Sequence, residues 1–136
     1  MTKLPLAAAA LATLLAACST SDETLSGFTD PETVWTLTEL DGAAFAERMS
    51  LQFPEPGRIA GQAPCNRFSG ALTVPYPWFG TSPLAATLMA CPDLEAERAV
   101  LEALGAMTEA EVSGPVLILR NSDLGREMVF KAEGQT

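Results

Sequence analysis

Apolar and polar positions recur with two different periods along this chain, and each period predicts its own kind of element. Met49-Ser50-Leu51-Gln52-Phe53 alternates strictly, which predicts a half-buried strand with Met49, Leu51 and Phe53 turned inward. Val34 to Leu40 is rich in β-branched and aromatic residues and closes on Asp41-Gly42, a strand followed by a turn. Pro54-Glu55-Pro56-Gly57 interrupts the pattern, and Arg58 to Ala63 is expected to return as the second strand of a hairpin. Ala71 to Val74 reads as a short strand ended by Pro75, and Leu84 to Ala90 as a further extended segment. Near the C-terminus, Val116 to Arg120 and Glu127 to Lys131 form two closing strands around the turn-forming Asn121-Ser122-Asp123-Leu124-Gly125. The first of these is apolar at four successive positions, so both of its faces are expected to be covered.

The period changes once. From Pro92 to Leu104 the interior consists of strong helix formers, and Leu94, Leu101, Leu104 and Met107, with Val100 beside them, share one side at helical spacing. Pro92 suits a first turn, Asp93, Glu95 and Glu97 stand where the helix dipole favours negative charge, and the helix is expected to end near Gly105. Strands, one helix and two more strands make an α+β domain: an antiparallel, curled (barrel-like) sheet with one main helix packed against it.

The first 17 residues do not belong to that domain. Lys3 precedes an uncharged run from Leu4 to Ala17, 14 residues long. As a helix it would span about 21 Å, short of the roughly 30 Å of a bilayer's hydrocarbon core. A positive start, a short apolar run and small closing residues describe a signal peptide over residues 1–17. Leu15-Ala16-Ala17-Cys18 resembles the lipobox of bacterial lipoproteins, in which the cysteine sulfur is acylated and becomes the new N-terminus. Residues 18–30 then form a lipidated polar tether, with the domain over 31–136. Ser19 follows the cysteine instead of the aspartate associated with inner-membrane retention. The expected location is the periplasmic face of the outer membrane.

Cleavage removes Lys3 and leaves 7 basic and 17 acidic residues, a net charge of −10. Such a surface repels nucleic acid and anionic headgroups, so neither is an expected partner. The chain has no histidine, which removes the usual catalytic triads and His-based metal sites. A Ser–Lys pair would need Lys131, the mature domain's one lysine. Asp93, Glu95 and Glu97 stand two apart on a helix and do not face one another, so acid–base work by them is not expected.

Trp35-Thr36-Leu37, Gly61 ahead of Cys65-Asn66-Arg67-Phe68-Ser69-Gly70, and Thr87-Leu88-Met89-Ala90-Cys91-Pro92 leading into a helix together resemble the META domain family. The bacterial members that this chain looks like are the HslJ-like lipoproteins, and the similarity covers about residues 31 to 131. Pro64 departs from the family, which usually has glycine there; proline fixes φ and lacks an N–H, which implies a different local turn. The resemblance implies an α+β fold with a sheet curled around a helix, no catalytic activity, no cofactor, and an association with envelope stress. It also implies a likeness to bacterial pilotin lipoproteins, one of which holds a lipid tail in its core.

Three sets of residues are candidate sites. With Cys18 acylated, Cys65 and Cys91 are an even pair in an oxidising compartment, expected to form a structural disulfide ahead of free buried thiols or a redox or metal site. Asn66 to Gly70 is expected to be a structural turn, with Asn66 and Ser69 bonding backbone, Gly70 at positive φ, Phe68 in the core and Arg67 exposed. Tyr76-Pro77-Trp78-Phe79-Gly80 reads either as core closing the end of the sheet or as an exposed patch that meets a partner or the lipid surface. Tyr76, Trp78 and Phe79, with Arg67, are the candidate interaction patch. The functional expectation is a monomeric envelope interaction or stability lipoprotein, bound to the membrane by its lipid and docking onto an envelope protein. A pilotin-like carrier of an apolar ligand comes second and a hydrolase last.

Overall fold

A computed structural model describes residues 2–5 and 21–134. Residues 6–20, which hold most of the apolar run, the cleavage site and Cys18, lie outside the described residues, as do Gln135 and Thr136.

The strands are β1 (Trp35–Leu40), β2 (Ala43–Ala44), β3 (Ser50–Gln52), β4 (Arg58–Gln62), β5 (Arg67–Ala71), β6 (Ala85–Ala86), β7 (Glu109–Ser113), β8 (Val116–Asn121) and β9 (Arg126–Ala132); the helix α1 (Leu94–Ala106) lies between β6 and β7. They form one sheet in the order β6-β5-β4-β3-β1-β9-β8-β7, with β2 paired to β1 beside it and every pair antiparallel. The architecture is α+β, as the two periods predict.

Alternation places the core. Trp35, Leu37, Leu51, Ile59, Phe68, Leu117, Leu119, Met128 and Phe130 are all buried in one cluster, joined by Met49 and Phe53 from the two flanks of β3. Helix α1 contributes Val100, Ala103 and Leu104, with Met107 just beyond its end. The buried stripe of the helix is shifted from the expected one, because Leu94 and Leu101 are only half-buried at its margin while Glu97 occupies a core-facing position. In β8, Leu117 and Leu119 are buried and Val116 and Ile118 half-buried, so its outer face is less covered than four successive apolar residues suggest.

Two local devices bend the sheet. The β1–β9 register slips between Leu37 and Glu39, a bulge that adds twist. Gly61 stands opposite Phe68, and a Cβ there would collide with the Phe68 ring and the Ser50 carbonyl oxygen, so the aromatic ring lies directly on the β4 backbone. The Asp41-Gly42 turn joins β1 to β2 with positive φ at both residues (50° and 80°), the geometry tight two-residue hairpins need.

Three sequence expectations change. The strand placed at Ala71–Val74 is instead Arg67–Ala71, so the Cys-Asn-Arg-Phe-Ser-Gly run is mostly strand and not a turn. Gly70 has no positive φ; a Cβ there would lie 2.8 Å from Leu84 and 3.2 Å from Ser82 Oγ, so it is the crossing segment that needs a small residue. Third, the folded domain starts before residue 31. Leu25–Phe28 forms a 3-10 turn whose Leu25 is fully buried, so the last part of the expected tether belongs to the domain.

Candidate functional site

The Cys-Asn motif is built around a buried carboxylate. Ala63 to Asn66 connect β4 to β5, with Pro64 and Cys65 at a turn closed by Ala63 N–H donating to the Asn66 carbonyl (2.8 Å). The Asn66 N–H does not return to Ala63; it donates to Glu97 Oε1 on α1 (2.6 Å), as does Cys65 N–H (3.0 Å). Asn66 Nδ2 donates to Glu97 Oε2 (2.7 Å) and to Met89 O, and its Oδ1 accepts from Met89 N–H (2.6 Å) and Thr87 Oγ1 (2.9 Å). Both ends of the Asn66 amide are therefore saturated. Burial works to raise the pKa of Glu97, which is only 6 % exposed, but the donors from Asn66 and Cys65 more than offset it and hold the carboxyl below its usual range.

A disulfide joins Cys65 and Cys91 beside this network, with Cα atoms 6.0 Å apart and a sequence separation of 26. On the chain-entropy model, closing a loop of that size stabilises by about 3–4 kcal/mol. Clamp and disulfide together fix β5, residues 87–91 and α1 to one another. The chemistry of the cluster is structural: its groups satisfy each other and none points outward with spare capacity.

The aromatic segment resolves into two roles. Phe79 is buried, contrary to its place in the expected patch, whereas Trp78 is 57 % exposed. The segment also bridges the two ends of the sheet. Phe79 N–H donates to Thr108 O and Ala110 N–H to Pro77 O (both 2.8 Å), on the outer edge of β7. On the other side Thr73 N–H donates to Gly80 O (3.0 Å) and Ser82 N–H to Ala71 O (2.9 Å), beyond the end of β5. Val112 N–H, the next outward donor of β7, is accepted by Tyr76 Oη (3.2 Å). Residues 76–82 thus strap the seam of an open, curled sheet and cover an edge that would otherwise be exposed. Arg67 is exposed, as expected, but it begins β5 while the strap pairs with the other end, so it is not part of the aromatic group.

The first described residues of the domain dock on this strap. Tyr76 N–H donates to Glu23 O (2.7 Å), and the Tyr76 ring stacks on Phe28 with centroids 4.4 Å apart. Asp22 accepts from Thr24 N–H and Oγ1 and, in a very short bond, from Ser26 Oγ, which itself accepts from Gly57 N–H in the β3–β4 connection. Desolvation raises the Asp22 pKa and these donors lower it, leaving it below the usual value. Phe28 is 52 % exposed. Sequence reading missed it because its neighbours are polar.

A second apolar feature is the tip of the 87–91 segment, where Leu88 is 98 % and Met89 64 % exposed on backbone that Asn66 and the disulfide hold rigid. Depressions of about 230 to 410 Å³ that described residues line open to solvent. Glu95 and Asp93 are exposed and Glu97 is committed to the clamp, so the three acids do not converge. Lys131 is exposed on β9. Among the described residues there is no group of three or more potential metal ligands, and no helix is long and apolar enough to cross a membrane.

Comparison with known proteins gives one family. The model described as META domain matches residues 26–135. A solution structure of a protein from Burkholderia xenovorans has a TM-score of 0.62 at 24 % identity, covering 81 % of this chain and 87 % of that one. A crystal structure of a DUF4847 family protein from Bacteroides vulgatus has a TM-score of 0.61 at 12 % identity, covering 78 % and 96 %. At these identities the likeness is one of fold. No curated protein matches.

Proposed function

This chain belongs to the META domain family, and on that premise we propose that it is an envelope lipoprotein whose domain serves as an interaction or stability module and not as an enzyme. The sequence Leu15-Ala16-Ala17-Cys18 at the end of a short apolar run carries the reading: cleavage before Cys18 and acylation of its sulfur would hold the protein on the periplasmic face of the outer membrane. Two features support it. The remaining cysteines form a disulfide, which suits an oxidising compartment. Among the described residues, bonding into the domain is already present at Asp22 and Ser26, so cleavage before Cys18 would leave a short tether.

The surface best suited to an envelope protein partner is the Leu88-Met89 tip. Two large apolar side chains stand in water on backbone that is already rigid, so little ordering would be lost on docking. An apolar carrier draws less support, because the depressions that described residues line are open to solvent.

Cell fractionation tests the anchor. Wild type should sediment with membranes and Cys18→Ala should appear in the soluble envelope fraction; a Cys18→Ala protein that stays with membranes would exclude the lipid. A photoreactive residue at position 88 should crosslink to an envelope protein in intact cells. An uncrosslinked monomer would remove the tip as the docking surface.

A further inference from the structure

The strap and the start of the domain together present aromatic side chains where an acylated Cys18 would bring them to a membrane. We propose that exposed Phe28, stacked on Tyr76, and exposed Trp78, two residues further along the strap, form a second, non-covalent membrane contact that seats the domain against the bilayer in one orientation. This rests on the lipid-anchor reading above and adds to it a contacting face.

The argument is one of reach. Asp22 is fixed by its bonds to Thr24 and Ser26, and Glu23 is bonded directly to Tyr76. Asp22 stands four residue steps after Cys18, a span of at most about 14 Å when fully extended. Glu23, the next residue, is bonded to Tyr76, so only this short span and the Glu23–Tyr76 contact stand between an acylated Cys18 and the strap. Exposed Phe28 and Trp78, with half-buried Tyr76 stacked on the former, are residue types that favour the membrane–water interface. Tyr76 packs against the core with its Oη on Val112 N–H, Phe28 stacks on its ring, and Trp78 shares its depression with Glu109, Glu111 and Arg120. Arg120 is bonded to Glu111 (2.8 Å) and Glu127 (2.9 Å), which leaves no excess positive charge there. The contact is therefore aromatic, and the matching surface is a zwitterionic one.

Fluorescence tests this on the mature, lipidated protein, because the chain has two tryptophans and Trp35 is buried. The protein is reconstituted into phosphatidylethanolamine–phosphatidylcholine vesicles with brominated acyl chains, and Trp78→Phe supplies the Trp35 background. The expected result is a blue shift and a loss of Trp78 emission in brominated vesicles, with the Trp78→Phe protein unchanged. Phe28→Ser, which loosens the group, should restore part of the emission. Flotation of the same samples separates the two claims. Protein that floats with vesicles while Trp78 remains unquenched keeps the anchor and overturns the contact, leaving the patch to a protein partner. Protein that does not float loses the anchor and the contact with it.

Discussion

Glu97 shows how much one side chain can carry in this fold. It receives three donors from the Cys65-Asn66 corner, and removing it leaves those groups in a place water reaches poorly. Glu97→Ala should cost about 2–3 kcal/mol in urea unfolding, against about 0.5 kcal/mol or less for exposed Glu95→Ala. The pH dependence has a definite sign. A carboxyl whose folded pKa lies below its unfolded one stabilises fully above the usual carboxylate range, and the contribution disappears as pH falls through the depressed folded value. Stability should therefore decline in acid, and Glu97→Gln should flatten that decline. Some slope should remain, because Asp22 and Asp41 are lowered in the same direction. Glycine makes the complementary case. Gly61→Ala puts a methyl into the Phe68 ring and should destabilise by about 1–3 kcal/mol. Gly105, at the exposed end of α1 with open space around its Cβ, should gain about 0.5–1 kcal/mol as alanine.

At the scale of elements, the strap is where core and surface meet within four residues. Phe79→Ala should cost about 3 kcal/mol or more by opening a cavity under the seam, whereas Trp78→Ala should leave the unfolding midpoint nearly unchanged. Equal losses for the two would mean that the strap packs differently. Elements with a clean period were legible in the sequence: β1, β3, β4, the closing pair β8–β9 and α1 stand within a residue or two of where the pattern puts them. Those governed by tertiary contacts were not. In β5 the pattern is broken by Gly70, and the strand's place is set by Gly61 on one side and the Asn66 clamp on the other. The Glu-Ala-Glu-Val-Ser of β7 alternates correctly, but its outward glutamates obscure it; they bond Arg120 and Ser122 across the pair. Glu97 left a trace, a charge three residues after Leu94 and three before Val100, inside the apolar stripe. Such a charge calls for a buried partner, and Asn66 is that partner. Phe28 and the early start of the domain left none, because one 3-10 turn has no period to read.

For the whole molecule, the main features fit one arrangement. A strongly acidic domain, matched by the family over 26–135, has its first described contacts at Asp22, four positions after Cys18 in the sequence, and at Glu23, which bonds the aromatic strap. The apolar tip at Leu88-Met89 lies on the segment bonded to Asn66 and next to Cys91, not on the strap, so the proposed arrangement leaves it for a partner. Everything in this arrangement depends on the state of residue 18. The most direct measurement is the intact mass of the protein extracted from membranes of its native host, with fragmentation of the N-terminal peptide. The account predicts a chain that begins at Cys18 and carries a diacylglycerol on its sulfur. A chain that retains residues 1–17, or begins at Cys18 with an unmodified thiol, would contradict it.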